Sequence, residues 1–218
     1  MKSKLIALLS TMVILSIIGV IIINIVIPAM GREKSSEDKL QIVATFYPIY
    51  MIGLNMADQA ENIEINSLTE LNTGCLHDYQ LTTADMKLIS QADILIINGA
   101  GMEGFLEDVI ANYPQLTIID ATDNITLLPN EEGADGEYNS HVWLDPKRYI
   151  QQIENIRDGL IEYLKQKQEA PSDLIERVNI NSQNYIKKVS ILDQATGQID
   201  MKERQAVIFH ESFAYLAE

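Results

Sequence analysis

Cysteine is almost absent from this chain, since Cys75 is the only one among 218 residues. An intrachain disulfide is therefore excluded, and the fold has to be stabilised by its hydrophobic core. The residues that follow the apolar amino-terminal stretch, Pro28-Ala29-Met30-Gly31, also lack a cysteine. We therefore expect no lipid anchor on a cysteine at that point.

Basic residues are scarce as well, because 16 lysines and arginines stand against 31 aspartates and glutamates, for a net charge of -15. A surface of this sign repels phosphate, so we expect no nucleic-acid partner. It favours cations or a basic partner, or it serves only solubility. A phosphate-binding loop is missing too, since Gly99-Ala100-Gly101 has neither the spacing nor the basic residue of a nucleotide-binding fingerprint.

One long apolar run is present at the amino terminus. Residues 5–27 carry no charge, and Lys2 and Lys4 precede them. The run is close to the length of about 20 residues that spans a bilayer, so we predict that residues 1–30 are a signal peptide or a retained membrane anchor. The rest of the chain is then expected outside the cytoplasm, at the cell surface, either anchored through this leader or secreted. Residues 31–39 form a polar linker.

Beyond the linker, short apolar runs alternate with longer helical patterns, which is typical of an α/β fold with a parallel sheet. Strands are predicted over 42–46, 63–68, 94–97 and 116–119. Helices are predicted to begin near Pro48, after a capping box of Thr82 with Asp85, and over 102–112. A long loop with an acidic middle is expected over 121–140.

The second half of the chain is mainly helical. Asp145 followed by Pro146 predicts a helix start, and the pattern continues through residue 163. Apolar side chains at helical spacing predict a second long helix over 172–196. A buried strand over 206–209 and a helix that begins at Ser212 are predicted to follow.

The chain has three histidines, His77, His141 and His210, and each follows a predicted strand or lies in the loop after one. Ligands of parallel α/β proteins collect outside the carboxyl ends of the strands, so three imidazoles can converge there. Imidazole is a common metal ligand. Taken singly, each histidine is more readily interpreted as a solvated loop residue or a hydrogen-bonded core residue than as a ligand, so placement alone does not decide the question.

Four local sequences change this balance: GCLHDYQLT at 74–82, NGAGME at 98–103, HVWLDP at 141–146 and FHESFAYLA at 209–217. Together and in this order they resemble the zinc and manganese solute-binding proteins of ABC importers. The resemblance covers nearly everything from Lys39 onward. HVWLDP is its most specific part, whereas the NGAGME turn is expected only to shape the end of a strand.

The resemblance implies a metal site made by His77, His141 and His210. It implies Zn²⁺ as the metal, with Mn²⁺ as the alternative, because manganese-type members usually place a carboxylate where His210 stands. Nitrogen-rich tetrahedral sites also favour zinc on chemical grounds. The implied partner is an ABC permease in the membrane, to which the captured ion is delivered.

The resemblance also implies two α/β lobes joined by one long helix. On this basis we expect an amino-terminal lobe over 40–170, a bridging helix over 171–197 and the beginning of an incomplete second lobe over 198–218, with a fourth ligand beyond residue 218. Alternatives remain a truncated member that is non-functional or acts in adhesion, and a zinc hydrolase. A hydrolase would need a general base and a substrate pocket, and the sequence offers neither, so no enzymatic activity is expected.

Overall fold

A four-stranded parallel β-sheet organises the computed structural model of the protein, which describes residues 39–74, 76, 79–130, 137–167, 172–199 and 211–218. The leader predicted over 1–30 and the strand predicted over 206–209 lie outside the described residues, as do His77 and His210. Residues Leu40–Glu218 form one structural unit.

The strands are β1 (Leu40–Ala44), β2 (Ile63–Ser67), β3 (Ile94–Ile97) and β4 (Thr117–Asp120). Every pairing is parallel and the order across the sheet is β2-β1-β3-β4. The chain moves outward from β1 to β2 and then crosses back to β3, so the direction of winding reverses between β1 and β3. Ligands of open α/β sheets bind outside the carboxyl ends of the strands at such a point. The predicted α/β class with a parallel sheet is confirmed.

Six α-helices are described. They are α1 (Tyr47–Met56), α2 (Thr83–Ser90), α3 (Glu107–Asn112), α4 (Pro146–Gln166), α5 (Ser172–Gly197) and α6 (Ala214–Ala217). Single 3-10 turns precede three of them, at Gly104–Leu106, Val142–Leu144 and Glu211–Phe213. Within the described ranges, no helix combines the length and the apolar character that a bilayer span requires.

Two helix starts follow from local hydrogen bonding, as the sequence predicts. The Thr82 hydroxyl accepts from the Asp85 backbone N–H at 3.3 Å, and the Asp85 carboxylate accepts from the Thr82 N–H at 2.7 Å, which completes the capping box. At α4 the Asp145 carboxylate accepts from the Lys147 N–H at 3.1 Å, and Pro146 occupies the first turn.

Several predicted boundaries are wrong by two residues or more, and two of them lie at the carboxyl edge of the sheet. The first strand was expected to reach Phe46 but ends at Ala44, because Phe46 is the extended N-cap residue of α1. The helix expected over 102–112 begins only at Glu107. Three successive residues with positive φ, Gly99, Ala100 and Gly101, turn the chain after β3, and the side chain of Glu103 then binds back to that turn.

The sheet has a hydrophobic core on each face because successive side chains of a strand point to opposite sides. Ile42 and Ile96 belong to the larger cluster, which α1, α4 and α5 cover. Val43 and Leu95 belong to the smaller cluster, which α2 and α3 cover. Strands buried on both sides account for the nearly continuous apolar runs in the sequence.

Candidate metal centre

The loops that follow β1 and β3 are joined at the carboxyl edge of the sheet by one buried carboxylate. Glu103 accepts hydrogen bonds from the Thr45 hydroxyl at 2.7 Å, the Asn98 N–H at 2.7 Å and the Gly99 N–H at 3.0 Å. Thr45 directly follows β1, and Asn98 directly follows β3. The point where the winding of the sheet reverses is therefore fixed by side-chain hydrogen bonds, and the NGAGME turn shapes the strand end as the sequence predicts.

Burial strongly affects the charge of Glu103, which is 7% exposed. Loss of water raises its pKa from 4.5 to about 7, and the negative charge of Asp120 acts in the same direction. The three hydrogen bonds from Thr45, Asn98 and Gly99 lower the pKa because they favour the ionised form, but the effect of burial is larger.

Asn98 holds the loop that carries His141 against this edge. Its side-chain amide donates to the Ser140 carbonyl at 2.9 Å and to the Gly99 carbonyl at 3.0 Å. Its side-chain oxygen accepts from Gln152 of α4 at 3.0 Å. His141 is far along the chain from β4, yet these bonds bring it to the carboxyl end of β3, at the sheet edge where the sequence predicts a site.

The imidazole of His141 is 5% exposed and is oriented by Asn139. Its Nδ1 lies 3.0 Å from Asn139 Oδ1, and its backbone N–H donates to the same atom at 3.0 Å. Because a backbone N–H can only donate, that atom is the amide oxygen, which can only accept. Nδ1 therefore carries the proton, and Nε2 carries the lone pair with which a neutral imidazole binds a metal ion.

The residues after His141 anchor its loop in the core. Val142 is fully buried, and the Trp143 ring lies 5.2 Å from the His141 ring, tilted by 46°. The rings of Trp143 and Phe46 also meet edge to face, with ring centres 4.8 Å apart and an interplanar angle of 80°. Asp145 then caps α4. The HVWLDP sequence thus combines a metal-competent imidazole with two packing residues and a helix start.

His77 lies outside the described residues, but both of its described neighbours are fixed. Leu76 is fully buried in the core cluster that contains Phe46, and Trp143 packs against that cluster. The Tyr79 N–H donates to the Leu76 carbonyl at 2.9 Å, and the Tyr79 hydroxyl donates to Asp85 at 3.0 Å. The segment after β2 is therefore attached to the same core as the loop that carries His141.

His210 also lies outside the described residues, and Glu211–Ala217 follow it as a 3-10 turn and α6. Across the described ranges, no three His, Cys, Asp or Glu side chains are grouped closely enough to hold a metal ion. The site of three histidines consequently stays a prediction, with His141 as its described member.

Sequence reasoning overlooked the residue that orients His141. Asn139 lies two positions before the histidine, and that spacing is the one local signal that could have identified it. Amide side chains at this spacing are common in loops, where they bind nearby backbone groups, so the pattern predicts a turn as readily as a metal centre.

Comparison with known proteins places these features in a family. The zinc-binding lipoprotein AdcA of Streptococcus pneumoniae is 31% identical over 206 residues, which cover 87% of this chain and 39% of that protein. The iron-binding protein YfeA of Yersinia pestis is 30% identical over 195 residues, which cover 87% of this chain and 60% of that protein. The chain therefore spans less than two thirds of the length of these curated relatives.

Solved structures give the same picture. The crystal structure of the Zn(II)-bound ZnuA-like domain of Streptococcus pneumoniae AdcA matches 82% of this chain and 63% of its own, with a TM-score of 0.69 and 31% identity. The family described as zinc-uptake complex component A, periplasmic, matches residues 42–218. Because that match takes in all of the sheet except the first two residues of β1, together with every described helix and all three histidines, this chain belongs to the family of periplasmic A components of zinc-uptake complexes.

Proposed function

We propose that this chain captures a metal ion outside the cytoplasm, with Zn²⁺ as the expected cargo, and delivers it to an ABC permease in the membrane. The observation that carries the proposal is the hydrogen bond between His141 Nδ1 and Asn139 Oδ1, because it holds the imidazole in the tautomer that binds metal through Nε2. His77 and His210 are proposed as the other two ligands. The apolar leader over 1–30 is proposed to keep the protein at the membrane.

Zinc is proposed over Mn²⁺ because of the ligand type. Three imidazole nitrogens suit tetrahedral zinc, whereas manganese prefers oxygen ligands. The relatives point to related cargoes, since AdcA is named as zinc-binding and YfeA as iron-binding. Competition between zinc and manganese for the same protein tests this part of the proposal directly.

These residues support binding and release of a metal ion, without catalysis. Glu103 is a buried carboxylate at this edge of the sheet, and a hydrolase would need such a group to act as a general base. Both of its oxygens instead accept hydrogen bonds, from Thr45, Asn98 and Gly99. The Glu103 carboxylate therefore holds the loops after β1 and β3 together through these hydrogen bonds.

The test is a calorimetric titration of the full-length chain with zinc near neutral pH, in a nonionic detergent that keeps the leader in solution. We expect one tight site, and the same titration in the presence of excess Mn²⁺ should give nearly the same affinity. Absence of a tight site in the wild-type protein would refute the proposed function. If excess Mn²⁺ competed with Zn²⁺ as strongly as zinc itself does, the choice of zinc as cargo would be refuted.

Alanine variants of the three histidines test the ligands. His141→Ala and His77→Ala should each weaken binding by about 100-fold or more, and His210→Ala should weaken it less. The reason is that His141 and both described neighbours of His77 are attached to one core. Glu162→Gln, which removes an exposed carboxylate from α4, controls for loose binding of zinc to this acidic surface. Equal losses of zinc affinity in all three histidine variants would contradict the predicted ranking. An unchanged zinc affinity in His141→Ala would contradict the role of His141 as a ligand.

A further inference from the structure

Tyr215, five residues after His210 in the chain, is hydrogen-bonded to the loop that carries His141. Its hydroxyl donates to the Asn139 carbonyl at 2.5 Å and accepts from the Leu128 N–H at 3.1 Å. The side chain is 2% exposed, so both bonds are shielded from water. Loss of this hydroxyl would remove one hydrogen bond from the Leu128 N–H and one from the Asn139 carbonyl.

The bond to Asn139 matters because of what the side chain of Asn139 does. Asn139 Oδ1 accepts from both the backbone N–H and the Nδ1–H of His141, each at 3.0 Å. The backbone of Asn139 is thus fixed by Tyr215, while its side chain fixes the imidazole. A short chain of hydrogen bonds runs from the segment after His210 to the ring of His141.

Arg148 holds Tyr215 from the other side. Its guanidinium lies 4.9 Å from the centre of the Tyr215 ring, and it donates to the Tyr215 carbonyl at 3.4 Å. The same guanidinium is paired with Asp145 at 2.9 Å and with Glu218. Since Asp145 caps α4 directly after the Val142–Leu144 turn, α6 is attached to the same few residues that place His141.

We propose that Tyr215 is a positioning residue of the metal centre, which couples the segment that follows His210 to the Asn139–His141 pair. The inference rests on the proposed function, because it takes His141 and His210 as ligands. Docking of α6 through Tyr215 then sets the orientation of the His141 ring. The orientation of the proposed ligand His141 thereby depends on a helix that is distant from it in the sequence.

The test compares Tyr215→Phe with Tyr149→Phe. Tyr149 is a matched control because its hydroxyl also donates to a backbone carbonyl, that of Pro48, at 2.7 Å, in the contact between α1, α4 and α5. Both variants keep the aromatic ring and lose the two hydrogen bonds of one hydroxyl group, so both should lose a similar amount of thermal stability. Arg148→Gln serves as a second perturbation that leaves the hydroxyl in place.

Two measurements are made on each full-length protein in nonionic detergent. The first is the zinc affinity by calorimetry. The second is the ¹⁵N spectrum of the histidine rings without metal, which separates the two tautomers. Because the chain has three histidines, the spectrum has three pairs of ring signals, and the pair of His141 is assigned by its loss in His141→Gln.

We expect Tyr215→Phe to weaken zinc binding about tenfold and to move the ring signals of His141 toward a mixture of tautomers. Arg148→Gln should shift the same signals in the same direction, and Tyr149→Phe should leave both measurements unchanged. Unchanged His141 signals in Tyr215→Phe and Arg148→Gln would overturn the inference, as would an equal loss of affinity in Tyr149→Phe. If the wild-type protein binds no zinc but the His141 signals shift as expected, the proposed function fails and the positioning of His141 by Tyr215 stands.

Discussion

Replacing Glu103 with glutamine should stabilise the protein relative to the wild type increasingly as the pH rises. The wild-type carboxyl group is buried and joins the loops after β1 and β3 through hydrogen bonds from Thr45, Asn98 and Gly99. Its ionised form is disfavoured there because burial removes it from water. Glutamine fills nearly the same volume and cannot ionise, so the variant isolates the effect of the charge.

The sign and size of this effect follow from the pKa of Glu103. Folding raises that pKa from 4.5 to about 7. The contribution of the group to stability is therefore fully present below pH 4.5 and is lost as the pH rises through 7. A shift of this size corresponds to about 3 kcal/mol of unfolding free energy. The glutamine side chain does not titrate, so any hydrogen bond that it fails to make adds a constant to the difference, and the trend with pH comes from the wild-type carboxyl group alone.

Urea unfolding followed by circular dichroism, at several pH values between 4.5 and 8, measures the trend. The unfolding free energy of Glu103→Gln minus that of the wild type should rise by about 3 kcal/mol over this window. Glu162→Gln removes the same charge from the exposed face of α4 and reports any general effect of net charge. A flat difference would show that Glu103 has its ordinary pKa in the fold, and a difference that grows toward low pH would show that folding lowers this pKa; either result would refute the reasoning.

Three further predictions concern single positions. Gly99→Ala should lower the unfolding free energy, measured in urea, by about 3 kcal/mol or more, because φ at Gly99 is +84° and an added Cβ would lie 1.9 Å from Asp120 Oδ1. A loss of less than about 1 kcal/mol would contradict this account of the turn. Asn139→Ala should weaken zinc binding by about tenfold to 100-fold, measured by calorimetry, because Nδ1 of His141 loses the Asn139 oxygen as acceptor. An unchanged affinity would show that Asn139 does not orient His141 for metal binding. Thr82→Ala should cost about 1 kcal/mol of unfolding free energy through loss of the capping box and should leave zinc binding unchanged.

The elements of the fold were predictable because their signals are local. Apolar runs such as that of β3 predict buried strands, and side chains such as Thr82 and Asp145 mark helix starts through bonds to backbone groups only a few residues away. The order of the strands was not predictable in this way. It depends on which face of the sheet each crossover helix covers, and that is decided by packing between residues far apart in the chain.

The metal centre divides along the same line. His141 is a metal ligand by prediction from its motif, and the structure places it near the carboxyl end of β3 without testing that role. The side chains that hold the loop of His141 could not be predicted. Asn98 binds a backbone carbonyl 42 residues away in the chain, and Tyr215 binds one 76 residues away. A backbone carbonyl has no sequence signature, so only the folded chain reveals such a partner. His77 and His210 remain predictions from the resemblance.

Trp143 is an intrinsic fluorophore beside the proposed metal site. It is the only tryptophan in the chain, and its ring lies 5.2 Å from that of His141. All indole emission therefore originates beside one proposed ligand. A closed-shell ion such as zinc would change that emission only by altering the charge and mobility of the imidazole, whereas an open-shell ion on the same nitrogen would quench it. If the proposed site is correct, fluorescence would therefore distinguish binding of a closed-shell ion from binding of an open-shell ion, without any label.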